Sequence, residues 1–169
     1  MNTIECINSR SSCKNYDPNK KVSKQDLQKI AEAGSKAATG MNKQAPIILV
    51  IDNKEIRDKL AKLNREVLGV DSDTFYGAPQ MLCVLAKSDV RTHVYDGSIV
   101  MANMMLAAEE LGLGSCWIHR AREVFTPELL SELGIEGEYE GIGNLAVGYP
   151  AGERRQSPPR KEDWIRWYE

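Results

Sequence analysis

The stretch Ile99-Val100-Met101-Ala102-Asn103-Met104-Met105-Leu106-Ala107-Ala108 constrains this chain more than any other. It has helical composition and is apolar nearly all round, so a helix here must be covered on most sides and occupy a central place. Asp96 is the natural cap for it, and the pattern runs to Leu111 before Gly112 and Gly114 end it. Around it the chain alternates. A capping box at Ser23 and Asp26 predicts a helix from about Gln25 to Ala38 that buries Leu27, Ile30 and Ala31. Ile47-Ile48-Leu49-Val50-Ile51 after Pro46 predicts a strand buried on both faces. Asn53 predicts the start of a helix with the stripe Ile56, Leu60, Leu63 and Val67, pairs Glu55–Lys59 and Asp58–Lys62, and a stop at Gly69. Met81–Ala86, Ser115–Ile118 and Leu145–Val147 read as further strands, and Thr126-Pro127 as cap and first residue of a short helix ending at Gly134. The pattern is mixed α and β. With 169 residues it predicts one domain, 1–169, able to hide roughly 70% of its unfolded surface.

Charge narrows the partners. Lys and Arg total 22 against 24 Asp and Glu, a formal −2, which argues against a protein held to nucleic acid by phosphate contacts. No apolar run is long enough to cross a bilayer, and Met1–Cys6 shows no secretion signal. The expectation is a cytoplasmic protein with no membrane or nucleic-acid partner. Cys6, Cys13, Cys83 and Cys116 contain no Cys-x-x-Cys pair, and His93 and His119 are not at helical ligand spacing, so neither disulfides nor a metal is expected.

Four clusters carry possible chemistry. Arg10-Ser11-Ser12-Cys13-Lys14 gathers two cations and two hydroxyls in five residues, either an anion cradle or a polar surface loop. Asn42-Lys43-Gln44 offers amides suited to the edge of a heterocycle, or simply a turn. Gly112-Leu113-Gly114-Ser115-Cys116-Trp117 lets backbone approach a flat ligand, or is a helix cap leading into a strand. Arg160-Lys161 is a phosphate grip or a solvated pair. The tail from Ala151 starts as a polar, extended linker and ends in Trp164, Ile165, Trp167 and Tyr168, a poor set for a frayed terminus and one that is expected to dock on this chain or on a partner.

In their order these blocks resemble the nitroreductase family of FMN-dependent oxidoreductases. Ile7-Asn8-Ser9-Arg10-Ser11-Ser12-Cys13-Lys14-Asn15-Tyr16 is similar to the family's opening, and Ala37-Ala38-Thr39-Gly40-Met41-Asn42-Lys43-Gln44-Ala45-Pro46 to its small-residue turn. Gly77-Ala78-Pro79, the helix from Asp96, Gly112–Ile118, Leu145–Pro150 and Pro159-Arg160-Lys161 complete the series. The resemblance implies an α+β fold, with a central, mostly antiparallel sheet flanked by helices, and a homodimer with an exchanged C-terminal extension over 152–169. It implies FMN as cofactor, NADH or NADPH as reductant, and ping-pong transfer to small acceptors such as nitroaromatics or quinones. It sets Arg10 and Ser12 at the phosphate and ribityl chain, counts Ser11 among the cofactor-binding residues, and sets Lys14 near flavin N1 and the C2 carbonyl. Asn42 and Gln44 would reach the flavin of the second subunit, the backbone of Ile118 and His119 would face the ring, and Arg160 with Lys161 would close on the phosphate. No catalytic side chain is implied, because the flavin carries the chemistry and Lys14 tunes it.

The chain departs from the pattern at Ser11, where a second basic residue is common, at Ile47 after Pro46, and at His119-Arg120. The short stretch between Asp89 and Asp96 implies an open substrate pocket. Alternatives are another flavin chemistry, such as dehalogenation or flavin breakdown, a flavin store or sensor, and a thiol role for Cys13 or Cys116.

Overall fold

A computed structural model describes residues 1–153 and 156–169. Its elements in chain order are α1 (Thr3–Ser9), α2 (Lys24–Ser35), β1 (Pro46–Ile51), α3 (Lys54–Leu68), β2 (Gln80–Lys87), α4 (His93–Glu110), β3 (Gly114–Ile118), α5 (Ala121–Val124), α6 (Pro127–Glu132) and β4 (Tyr139–Gly148). The four strands form an antiparallel sheet in the order β1-β2-β4-β3, with helices on both faces. The expected α+β architecture is what the chain adopts.

Strand alternation builds the two faces. Met81, Cys83 and Leu85 of β2, Cys116 and Ile118 of β3 and Ala146 of β4 meet Leu60 and Ala61 of α3, Val124 of α5 and Leu129 and Leu130 of α6. Leu82, Val84 and Ala86 meet Leu27 and Ile30 of α2 and Val100, Met101 and Met104 of α4, together with Leu145 and Val147. β4 bulges at Ile142, which stands unpaired while Gly141 and Gly143 face Leu85 and Val84. Gly141 is required here, since a Cβ on it would lie 2.2 Å from the Ala121 carbonyl oxygen.

Several local expectations are corrected. α2 ends at Ser35 rather than Ala38, where the Lys36 N–H turns to the Ala33 and Gly34 carbonyls, and Gly34 packs where a Cβ would sit 2.7 Å from Met104. β1 is an edge strand: Val50 is exposed, and only Ile51 is fully buried. A continuous apolar run signals burial on both faces, but this one has β2 on one side alone. α4 starts at His93, three residues before the expected cap. Asp96 lies inside the first turn, where it accepts a hydrogen bond from Thr92 Oγ1 at 2.9 Å and one from the Gly40 backbone N–H at 2.9 Å. α4 is also less covered than its composition predicts, with Tyr95 72% and Ile99 44% exposed. Within α3 the ion pairs are Lys54–Asp58, Arg57–Asp58 and Lys62–Glu66, while Lys59 reaches Glu132 on α6. The caps at Ser23, Asn53 and Thr126, and the left-handed stop at Gly69 (φ 71°), stand where expected.

Candidate functional site

After α1 the chain runs extended along the outer side of β3. Ser12 bridges Ser115 in parallel, and the Cys13 N–H donates to the Ser115 carbonyl at 2.9 Å. Tyr16 bridges Pro150 in the antiparallel sense, and Ala151 N–H donates to the Asn15 carbonyl at 3.0 Å. These bonds lay Arg10–Asn15 against the segment that leaves β4. The tail then crosses over them, and Ser157 Oγ donates to the Arg10 carbonyl at 3.3 Å. The result is a cavity of about 580 Å³ lined by Arg10, Ser11, Ser12, Lys14, Ser157 and Arg160, with Glu153 also on its wall.

The floor is buried and the rim is exposed. Tyr16 is buried beneath the segment, where its hydroxyl donates to the Ala146 carbonyl at 3.2 Å; burial, with the neighbouring thiols, pushes its phenol far up. Ser12 and Lys14 are exposed, and Arg10 is half-buried. Among the described residues no carboxylate forms an ion pair with Arg10, Lys14 or Arg160, while some lysines elsewhere, such as Lys21 with Asp52 and Lys29 with Asp26, are paired and others, such as Lys36 and Lys87, are not. Three cations left open around one concavity make a site for an anion, and flanking hydroxyls suit phosphate oxygens.

The remaining predicted residues stand apart from this cavity in the single chain. Lys161 turns to Asp163 at 3.4 Å and does not line it. Asn42 and Gln44 line a second depression, beside α2 and β1, and Gln44 Nε2 donates to Asn42 Oδ1 at 3.1 Å. Their turn is strained, with Met41, Asn42 and Gln44 all in the left-handed region (φ 50°, 54° and 49°). Such clusters persist only when neighbours hold them and are concentrated at functional sites. Here Asp96, through Gly40, and Thr39 Oγ1, through the Gln44 N–H at 3.2 Å, do the holding. Ile118 is buried at the end of β3, and His119 is exposed beyond it. Arg120 turns away, its Nε donating to Asn64 Oδ1 on α3 at 2.8 Å. Of the cysteines near the cavity, Cys13 donates to the Asn15 carbonyl at 3.3 Å, and burial pushes the Cys116 thiol up, with Lys14 opposing it.

Only the start of the tail docks on its own chain, through Ser157; its aromatic end stands open, with Trp164, Trp167 and Tyr168 66%, 84% and 90% exposed. Arg154 and Arg155 of the expected linker lie outside the described residues. The roles of Ser157 and Asn15 are invisible in local sequence, because they come from pairing between segments more than 130 positions apart.

The model of the "Nitroreductase family" matches residues 7–71 and 66–149. This chain belongs to the nitroreductase family. Among nitroreductase relatives, the "Putative NAD(P)H nitroreductase YfkO" of Bacillus subtilis (strain 168) is 23% identical over 97% of this chain and 96% of its own. A Cr(VI) reductase of Pseudomonas sp. (strain G-1) is 29% identical over 92% of this chain and 69% of its own. The crystal structure of a nitroreductase with bound FMN from Bacteroides fragilis NCTC 9343 superposes over 100% of both chains, with a TM-score of 0.87 and 27% identity. The nitroreductase fold is therefore present from end to end.

Proposed function

We propose that this nitroreductase is an FMN-dependent oxidoreductase that takes hydride from NADH or NADPH and passes it to small acceptors such as quinones or nitroaromatics by a ping-pong route. The single observation that carries the proposal is the cavity beside β3, where Arg10, Lys14 and Arg160 converge with no carboxylate partner among the described residues, in a chain of family and fold already assigned. The residues fit the cofactor's chemistry. Arg10 and Arg160, with the hydroxyls of Ser11, Ser12 and Ser157, would hold the phosphate and ribityl chain by charge-assisted bonds. Lys14, one side-chain alternation further along, would stand beside the part of the ring that gains negative charge on reduction. When bound, FMN supplies a two-electron carrier, so the protein's part is to bind, orient and exclude water rather than to provide an acid, base or nucleophile.

The working unit in this proposal is a homodimer of the one domain, 1–169. Asn42 and Gln44 would then serve the partner's site, together with the ring-facing backbone at Ile118 and His119, and the strained turn that presents the two amides supports that assignment. Exposed Ile4 and Ile7 on α1, Tyr95 and Ile99 on α4 and Met41 on the turn supply apolar surface for the contact. The tail, with Trp167 and Tyr168 open in the single chain, would lie on the partner, and Lys161 would come to the phosphate only in that arrangement. The cytoplasm is the proposed location; among the described residues no helix is long and apolar enough to cross a membrane.

The test is steady-state oxidation of NADH and of NADPH by FMN-loaded protein with a quinone and with a nitroarene. Parallel double-reciprocal lines are expected. Protein that holds FMN but oxidises neither nicotinamide would leave a flavin-binding module and overturn the enzyme.

A further inference from the structure

We infer that Tyr76, which lies outside the cavity-lining set, is the positioning residue for Lys14. Resting on the FMN reading above, the inference adds the device that fixes the tuning cation. Tyr76 sits in the left-handed region, φ 57°, which is rare for a bulky side chain, and Gly77 follows at φ 80°. A latch holds this backbone. The Asp73 carboxylate accepts hydrogen bonds from the N–H groups of Phe75 at 3.1 Å and Gly77 at 2.8 Å, and pairs with the Arg57 guanidinium. Arg57 Nε donates to the Ala78 carbonyl at 2.9 Å, and its guanidinium stands 5.6 Å from the centre of the Phe75 ring. Phe75 is fully buried, so the turn is pinned to the core.

The pinned turn faces the cradle. The Tyr76 carbonyl accepts the Tyr16 N–H at 3.3 Å, which ties it to the Arg10–Tyr16 segment, and the Lys14 ammonium lies 5.8 Å from the centre of the Tyr76 ring. No carboxylate among the described residues forms an ion pair with Lys14, and its long stem is exposed, so this ring is what the structure offers to narrow its rotamers. The Arg57–Asp73 latch thus holds the strained turn, and the turn sets the Tyr76 ring beside the one ammonium.

The experiment measures FMN dissociation constant and flavin midpoint potential on full-length protein, for Tyr76→Leu and Tyr76→Phe, each alone and with Lys14→Met. Tyr76→Leu is expected to weaken FMN by about two- to fivefold, the range of an exposed cation–π contact, and to move the potential in the same direction as Lys14→Met. Tyr76→Phe keeps the ring face and should match the parent. In the Lys14→Met background Tyr76→Leu should add nothing. Tyr76→Gly, which accepts φ 57° without strain, is a second ring-less variant should the leucine fail to fold, and the same loss is expected of it. A Tyr76→Leu effect that persists without Lys14 would overturn the inference, as would one absent in the parent while Lys14→Met moves both quantities. A parent that binds FMN and is indifferent to Lys14→Met overturns the inference alone; a parent that takes up no FMN overturns the FMN reading and the inference with it.

Discussion

Arg10→Ala should weaken FMN by about 10- to 30-fold and leave riboflavin nearly untouched. The magnitude follows from the surroundings of Arg10. Its side chain is half-buried and, among the described residues, has no carboxylate partner, so its donors are free for an anion. A hydrogen bond to a charged group contributes about 1.5–3 kcal/mol, and the open rim places Arg10 near the lower end. About 1.5–2 kcal/mol corresponds to roughly 10- to 30-fold in Kd at about 1.4 kcal/mol per decade. Truncation leaves the bond from Ser157 intact, because that bond goes to the Arg10 carbonyl. The assay is quenching of flavin fluorescence as apoprotein is titrated into FMN and, separately, into riboflavin, which lacks the phosphate. Lys54→Ala serves as control, since Lys54 is paired with Asp58 on an outer face of α3. Equal losses for the two flavins would refute the phosphate assignment, and so would no loss for either.

Three further outcomes are expected. Gly141→Ala forces a Cβ against the Ala121 carbonyl oxygen at the β4 bulge, and should cost about 1–3 kcal/mol in denaturant unfolding; an unchanged midpoint would show that α5 moves aside freely. Hydrogen bonds from Lys21 and Gln80 hold the Asp52 carboxyl below its ordinary value, so its contribution is present above about pH 4 and lost as pH falls through the folded-state value. Asp52→Asn should therefore lower stability by about 0.5–1 kcal/mol at neutral pH, with the gap to the parent closing in acid; a gap independent of pH would refute the carboxylate's role. Deleting 164–169 should shift the native mass by light scattering from dimer to monomer and weaken FMN retention, whereas an unchanged dimer would remove the tail from the interface.

Much of the fold was legible because its signals are local. Ser23, Asn53 and Thr126 each satisfy an N–H within their own helix's first turn, and Gly69 ends α3 by its own dihedral. The errors fall where a residue spends its chemistry at a distance. Asp96 reads as a cap, yet one of its oxygens serves Gly40, 56 positions away. Lys59 reads as an i,i+4 partner and instead finds Glu132 on α6. Ile47–Ile51 reads as an interior strand because periodicity cannot distinguish two covered faces from an edge that awaits cover. The candidate site divides in the same way. Arg10, Ser12 and Lys14 stand out as a pentapeptide of cations and hydroxyls, but Ser157 joins them only through a contact across 147 positions. Tyr76 carries no motif at all; the one local hint was Asp73 two residues before Phe75, the spacing of an Asx turn.

The most direct measurement of the central claim is the anaerobic half-reaction. FMN-loaded protein is mixed with NADH or NADPH in the absence of oxygen, and its flavin absorbance is followed before and after a quinone or nitroarene is added. The account predicts bleaching by at least one nicotinamide and full recovery on addition of the acceptor. Flavin that stays oxidised with both nicotinamides would contradict it.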